Sequence, residues 1–261
     1  MPQPVLTIEL QPGSLKAFVV SNASKIKACG IFPWPDKGIK ELNTNLLAIK
    51  KSFKLKSDPI CILPEPESVK KTGLSKIKLK TVTLLEARAA YEMEKGIFKN
   101  KHSALFIELG QKINILMLNK ANKKSPAVLD ISSLTANYLE ALLDTGEAYR
   151  LKDYCGTDFF KRKSRESYDK IYNQTQEGSV EGAEMFVEYG SFVGTLIANL
   201  EMLFNPDAVA ITGPLAQTHD AWSHAMGKAR KQHLTHNPKS KINILKSKPE
   251  AAAVGAFLLV K

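Results

Sequence analysis

The chain has 261 residues, of which 44% are hydrophobic and 24% charged, and its formal net charge is +11. That length allows one large domain or two of about 100 to 150 residues each, and the composition excludes a disordered or fibrous chain. No apolar run nears the roughly 18 residues that span a bilayer, and Met1-Pro-Gln-Pro4 has neither the basic nor the apolar region of a signal peptide, so a cytoplasmic location is expected.

Val5 to Leu10 and Leu15 to Ser21 are rich in Val, Ile, Leu and Phe, with Gln11-Pro-Gly-Ser14 between them, which reads as a β-hairpin. A strand around Lys25 to Phe32 follows, then a helix from Gly38 to Phe53 and a short apolar strand at Asp58 to Leu63. Val69 to Lys80 ends by alternating Lys with Ile and Leu, the pattern of a half-buried strand. Thr83 to Gly96 reads as a helix. After Asn100-Lys-His102 the pattern restarts: a hairpin from Ala104 to Leu109 and Ile113 to Leu118, a strand around Ala127 to Ile131, and a helix from Ser133 to Leu143. Gly146 to Lys163 is turn-rich and then basic. Gly182 to Phe204 is strongly periodic, with Phe186, Tyr189, Gly190, Val193, Ile197, Leu200 and Leu203 on one stripe. Asn205-Pro206 stops it. A buried strand from Ala208 to Thr212, Gly213-Pro214, a helix from His219 to His233, a strand from Lys241 to Leu245 and a helix from Ala251 to Val260 complete the chain.

Ile8-Glu-Leu10 in the first hairpin recurs as Ile107-Glu-Leu109 in the second, and both halves run hairpin, strand, helix, strand, helix. Such duplication predicts an α/β protein of two similar lobes around a central cleft. A hairpin turn at the floor of each lobe offers backbone N–H groups to phosphate without needing charged side chains.

Cys29, Cys61 and Cys155 are too few and too scattered for a disulfide framework or a Cys-x-x-Cys zinc site. Four of the five histidines lie between His219 and His236, at spacings of 5, 9 and 3 that do not repeat a helical metal pair. No metal site is expected. The positive charge invites a nucleic-acid or acidic partner. Yet of 37 basic residues only Arg88, Arg150, Arg162, Arg165 and Arg230 carry the guanidinium fork that suits phosphate and bases, and no nucleic-acid motif accompanies them. Nucleic acid is not expected as a partner, and a solvated basic surface is.

Asn205-Pro-Asp-Ala-Val-Ala-Ile-Thr-Gly-Pro-Leu215, the long helix before it, and Lys246-Ser-Lys-Pro-Glu-Ala-Ala-Ala-Val-Gly-Ala-Phe-Leu-Leu259 resemble the C-terminal third of the ROK family of bacterial sugar kinases and repressors. Gly146 to Thr157 echoes that family's Cys-Leu-Glu-x-Tyr-x-Ser-Gly segment, and Leu85-Glu-Ala-Arg-Ala-Ala-Tyr-Glu92 echoes its Asn-Asp-Ala-Asn-Ala-Ala. The echoes keep their order along nearly the whole chain. The resemblance implies the actin-like, ribonuclease H-like ATPase fold, with one lobe formed by residues 1–103 and 249–261 and the other by 104–248. It also implies ATP and Mg as cofactors and a small hydroxyl compound as substrate. By the same resemblance Glu86 takes the place of the catalytic base and Glu9 lies near metal-bound phosphates. Gly13, Ser14, Gly110 and Gly213 line the nucleotide, Lys112 meets phosphate by charge, and Asp130 stands at the sugar clamp.

The departures from the family pattern are many. Its first phosphate loop, Asp-x-Gly-Gly-Thr, is Glu9-Leu-Gln-Pro-Gly-Ser14 here, and Pro12 removes a backbone N–H from the turn. Its Gly-Thr-Gly-x-Gly-Gly is Gly110-Gln-Lys-Ile-Asn114, with most of the glycines gone. Glu86 is one methylene longer than the usual Asp, and a misplacement of about 1 Å can cost on the order of a hundredfold in rate. The sugar-clamping Glu-x-Gly-His is Asp130-Ile-Ser-Ser133, and the cysteine-rich zinc loop is missing, so no zinc is expected.

A divergent ROK-type protein with weak or lost hexokinase activity is therefore expected. The alternatives are an active ATP-dependent kinase of a sugar or other small hydroxyl compound, and a basic non-catalytic module that binds a protein or polyanion. A homodimer is among the expected assemblies, and a membrane partner is not. The family's repressors carry a helix-turn-helix before the first strand; this sequence opens on that strand, so DNA binding by that route is not expected. Each acid also has a plain structural reading: Glu9 and Glu108 as strand-end acids with a lysine partner, and Glu86 as a first-turn acid favoured by the helix dipole.

Overall fold

The computed structural model describes residues 4–11, 14–21, 25–33, 39–63, 79–119, 128–134, 150–235, 239–245 and 248–260. The Pro12-Gly13 turn, most of the 69–80 lysine run and the expected 133–143 helix beyond residue 134 lie outside these residues. The chain divides into two units, one of residues 1–100, 121–126 and 247–261, the other of 101–120 and 127–246.

In the first unit, β1 (Val5–Gln11), β2 (Ser14–Val20) and β3 (Ile26–Pro33) form an antiparallel meander, and β4 (Ile60–Leu63) and β5 (Lys80–Thr83) extend the sheet in parallel on the other side of β1. The strand order is β3-β2-β1-β4-β5. Helix α1 (Ile39–Ser52) supplies Leu46 to one sheet face, where Leu6, Ile8, Leu15, Cys61 and Leu63 are buried. On the other face α2 (Leu84–Glu94) and α8 (Pro249–Val260) pack Ala87, Ala252 and Ala256 against Ile60 and Ile62. Small side chains let these helices approach closely: a Cβ on Gly255 would fall 1.7 Å from the Ala87 carbonyl oxygen. Burial pushes the Cys61 thiol up to about 12.

The second unit repeats the plan. Strands β6 (Ser103–Leu109), β7 (Ile113–Asn119) and β8 (Val128–Asp130) form the meander, and β9 (Ala208–Thr212) and β10 (Lys241–Ile244) add in parallel, in the order β10-β9-β6-β7-β8. The duplication read from the two Ile-Glu-Leu stretches is thus a duplication of sheet topology, strand for strand. Where the sequence looked turn-rich, two short helices form, α3 (Lys152–Cys155) and α4 (Asp158–Ser164), and a third, α5 (Tyr168–Gln176), follows in a stretch to which the sequence reading gave no element. α3 and α4 are too short to show a helical period, and all three are held by Tyr154, Phe159, Phe160 and Ile171 buried against the unit's core.

Helix α6 (Val180–Phe204) is capped by Ser179, whose hydroxyl accepts from the Gly182 N–H. Its stripe from Phe186 to Leu200 is buried, but Leu203 is 76% exposed, so the apolar pattern outruns the packing. Next to it lies α7 (His219–His233). Gly190 and Gly194 bring the two together, since a Cβ at either would sit 2.4 Å from a carbonyl oxygen of α7, Trp222 or Met226. Arg230 of α7 donates through Nε and Nη2 to both carboxylate oxygens of Glu201 on α6, each at 2.6 Å, a buried bidentate pair.

Candidate functional site

The family-matched residues fall into two groups, one in each unit. In the first unit Glu9 sits in β1 opposite Lys16 of β2 and beside Ile62 of β4. It is 8% exposed, and its Oε2 has no hydrogen-bond partner among the described residues. Ser14 opens β2 in register with Gln11 and Pro33, and Gly13 lies outside the described residues. One strand beyond β4, Ile62 pairs with Val82, and α2 begins directly after Thr83. At about 4.8 Å per strand, the backbone of Glu9 is roughly 10 Å from that of Val82, and Glu86 lies one helical turn further on.

The Glu86 carboxylate is committed to its own helix. Its Oε2 accepts from the Thr83 N–H at 2.6 Å and from the Thr83 hydroxyl at 2.8 Å, while Thr83 Oγ1 accepts from the Glu86 N–H at 3.2 Å. This is a complete capping box, which satisfies two N-terminal donors that would otherwise lack partners. The signal was present in the sequence as Thr83-Leu-Leu-Glu86 ahead of an alanine-rich run, and the reading of Glu86 by family position passed over it.

In the second unit the structure gathers Gly110, Lys112, Asp130 and Gly213 around the β6–β7 turn. Gly213 has φ +95, and a Cβ there would lie 2.4 Å from the Leu109 carbonyl oxygen, so both the backbone conformation and the close strand contact call for glycine. The Pro214 ring lies against Gly110: a Cβ on Gly110 would meet its Cδ and Cγ at 3.3 Å. The turn's backbone is bonded within the unit. Gly110 N–H donates to Lys112 O at 3.1 Å, and Gly110 O accepts from Thr157 N–H at 2.9 Å.

The side chains close on one another too. Lys112 Nζ is 4.0 Å from Asp130 Oδ2. Asp130 Oδ1 accepts from the Ser132 N–H at 2.9 Å and the Ser132 hydroxyl at 2.5 Å, and that hydroxyl accepts from the Ile113 N–H at 2.7 Å. Lys112 and Asp130, on either side of the turn, thus form an ion pair. Ser132 and Thr157 were not singled out in the sequence, although Asp130-x-Ser132 has the spacing of an Asx turn. Glu108, the counterpart of Glu9, accepts from Asn114 Nδ2 at 2.8 Å.

Among the described residues no group of three or more His, Cys, Asp or Glu is arranged to hold a metal ion. Nor is any helix there long and apolar enough to cross a membrane.

The ROK family model matches residues 148–261. No curated protein matches the chain in sequence. Among solved structures, the ROK hexokinase of Thermus thermophilus superposes with a TM-score of 0.76 at 15% identity, covering 98% of this chain and 97% of that one. A ROK family transcriptional regulator, a homolog of the E. coli MLC protein, gives 0.71 at 13% identity, with 98% of this chain and 77% of that one covered. A ROK family glucokinase from Streptomyces griseus, solved with glucose and AMPPNP, gives 0.62 at 12% identity and 97% of each chain. Kinases and a regulator thus share one backbone plan at identities that speak for fold alone. The resemblance first seen at Asn205 to Leu215 and near the C-terminus is matched by the family model there, and the chain has the actin-like ATPase fold of the ROK proteins over its length, with the ROK family's sequence pattern in residues 148–261.

Proposed function

We propose that this protein is a ROK-fold module in which ordinary hexose phosphorylation is weak or lost. One observation carries the reading: Glu86, the residue at the position of the family's base, has its carboxylate bonded to Thr83 N–H and Oγ1 as a helix cap. A general base must face the proton that it removes, and here two donors of its own chain occupy Oε2.

The β6–β7 turn supports the same reading. A phosphate cradle needs outward-pointing backbone N–H groups, and that of Gly110 is donated to Lys112 O. The Lys112 ammonium faces Asp130, and the positive-φ Gly213 is filled against Leu109 rather than left as open space. A triphosphate is therefore not expected to seat against these residues.

A second reading, an active ATP-dependent kinase of a small hydroxyl compound, is favoured by one feature. Glu9 presents a buried carboxylate oxygen without a partner among the described residues, the kind of acid that a bound cation would satisfy.

ADP release measured with Mg-ATP over a panel of hexoses and other polyols separates the two. The expected result is no sugar-dependent release above that with ATP alone, and no change in Glu86→Gln. Turnover that Glu86→Gln abolishes would overturn the first reading and establish the second.

A further inference from the structure

Where β6, β9 and β10 begin, the second unit gathers cations. Register sets Lys241 beside Ala208. The adjoining Asp207 carboxylate accepts from the backbone N–H groups of His102 at 2.9 Å and Ser103 at 3.0 Å, so Lys241, Asp207 and His102 all lie at the starts of three neighbouring strands. The buried Glu201–Arg230 pair anchors the rest. Arg230 Nη2 donates to the Ser240 carbonyl at 2.8 Å and to its hydroxyl at 3.0 Å, and the Ser240 hydroxyl also bonds Glu201. This ties the turn of α7 that carries Lys231 to the Lys239-Ser240-Lys241 stretch. His102, Lys231, Lys239 and Lys241 are exposed, and both acids at this corner are engaged, Glu201 by Arg230 and Asp207 by backbone.

Strand β10 runs out of this corner. It is the last strand of its sheet and, among the described residues, pairs with β9 alone, which leaves its outer edge as a template for another strand. Ile242 and Ile244 along it are half-buried. Lysine at such an edge repels a second copy of a chain with net charge +11, and the same charge attracts an acidic strand. Lysines are compact point charges that pair with carboxylate and phosphate alike, so it is the open strand edge, which a peptide backbone can extend and a nucleic acid cannot, that favours an acidic peptide.

We propose that β10 is a docking edge for an extended acidic segment of a partner protein, which adds to the sheet as a strand and sets its carboxylates against Lys231, Lys239 and Lys241. Main-chain hydrogen bonds along the edge give such a complex its affinity, and the lysines choose the partner and speed its approach. This holds whether or not phosphoryl transfer is retained.

The test is fluorescence anisotropy of the full chain with a labelled alternating Glu/Val peptide of about ten residues, long enough for one strand. Three comparison probes are the Lys/Val peptide, the Glu/Val peptide N-methylated at alternate residues, and a single-stranded DNA. The Glu/Val peptide is expected to bind at least about tenfold tighter than each of the three, a difference of about 1.4 kcal/mol. The triple variant Lys231→Glu, Lys239→Glu, Lys241→Glu is expected to lose that binding with an unchanged melting temperature. Methylation removes peptide N–H donors and leaves its charge, so equal binding of the methylated peptide, or of the DNA, would overturn the proposal in favour of plain charge attraction. Absence of binding by the Glu/Val peptide would overturn it outright.

Discussion

The two Ile-Glu-Leu hairpins share a backbone plan and differ in how their polar groups are settled. In the second unit each named polar group near the turn is answered nearby: Glu108 by Asn114, Asp130 by Ser132 and Lys112, and Gly110 N–H by Lys112 O. In the first unit Glu9 is as good as buried, and one carboxylate oxygen has no partner among the described residues. A copied sheet therefore does not carry a copied site. Closure of one hairpin on itself stabilises the fold, whereas an unanswered buried carboxylate costs stability and is kept where something else uses it.

The largest expected effect on this contrast comes from Gly213→Ala. Its Cβ would collide with the Leu109 backbone at a φ of +95, and a loss of about 3 kcal/mol is expected in chemical denaturation. Ser132→Ala follows, at about 1 to 3 kcal/mol, because the Ile113 N–H loses its acceptor in a buried setting. A matched pair comes next. Glu108→Leu is expected to cost about 1 kcal/mol through the lost Asn114 bond, and Glu9→Leu to raise stability by a similar amount, since a buried charge without a described partner is removed. If both substitutions shift the melting temperature in the same direction, the contrast between the hairpins fails. Smallest are the cap variants. Thr83→Ala is expected to cost about 1 kcal/mol and Glu86→Gln a few tenths, because Gln can also close a capping box.

Much of the fold could be read from the residues because it rests on patterns that repeat. The long helix α6 showed its stripe from Phe186 to Leu200, and β9 showed as an unbroken apolar run between Asn205-Pro206 and Gly213. Short elements escaped. Helices α3 and α4 have four and seven residues, fewer than two turns, and their burial depends on Tyr154, Phe159 and Phe160 meeting α6, a contact distant in sequence.

The sequence offered the candidate site as a set of positions, without the bonds those side chains make. Family order pointed to Glu86, Asp130, Lys112 and Gly213, but the bonds of Glu86 and Asp130 come from Thr83 and Ser132, and the close packing of Gly213 comes from Leu109. Thr83 and Ser132 are local and have recognisable spacings. The contact of Gly213 with Leu109 joins strands about a hundred residues apart, and no local pattern encodes it.

The most direct test of the account is a calorimetric titration of the full chain with Mg-ATP at low salt. The closed β6–β7 turn predicts no saturable heat up to millimolar nucleotide. A saturable one-site isotherm that Glu9→Gln weakens would contradict it, and would show that the Glu9 carboxylate of the first hairpin serves a nucleotide-bound cation after all.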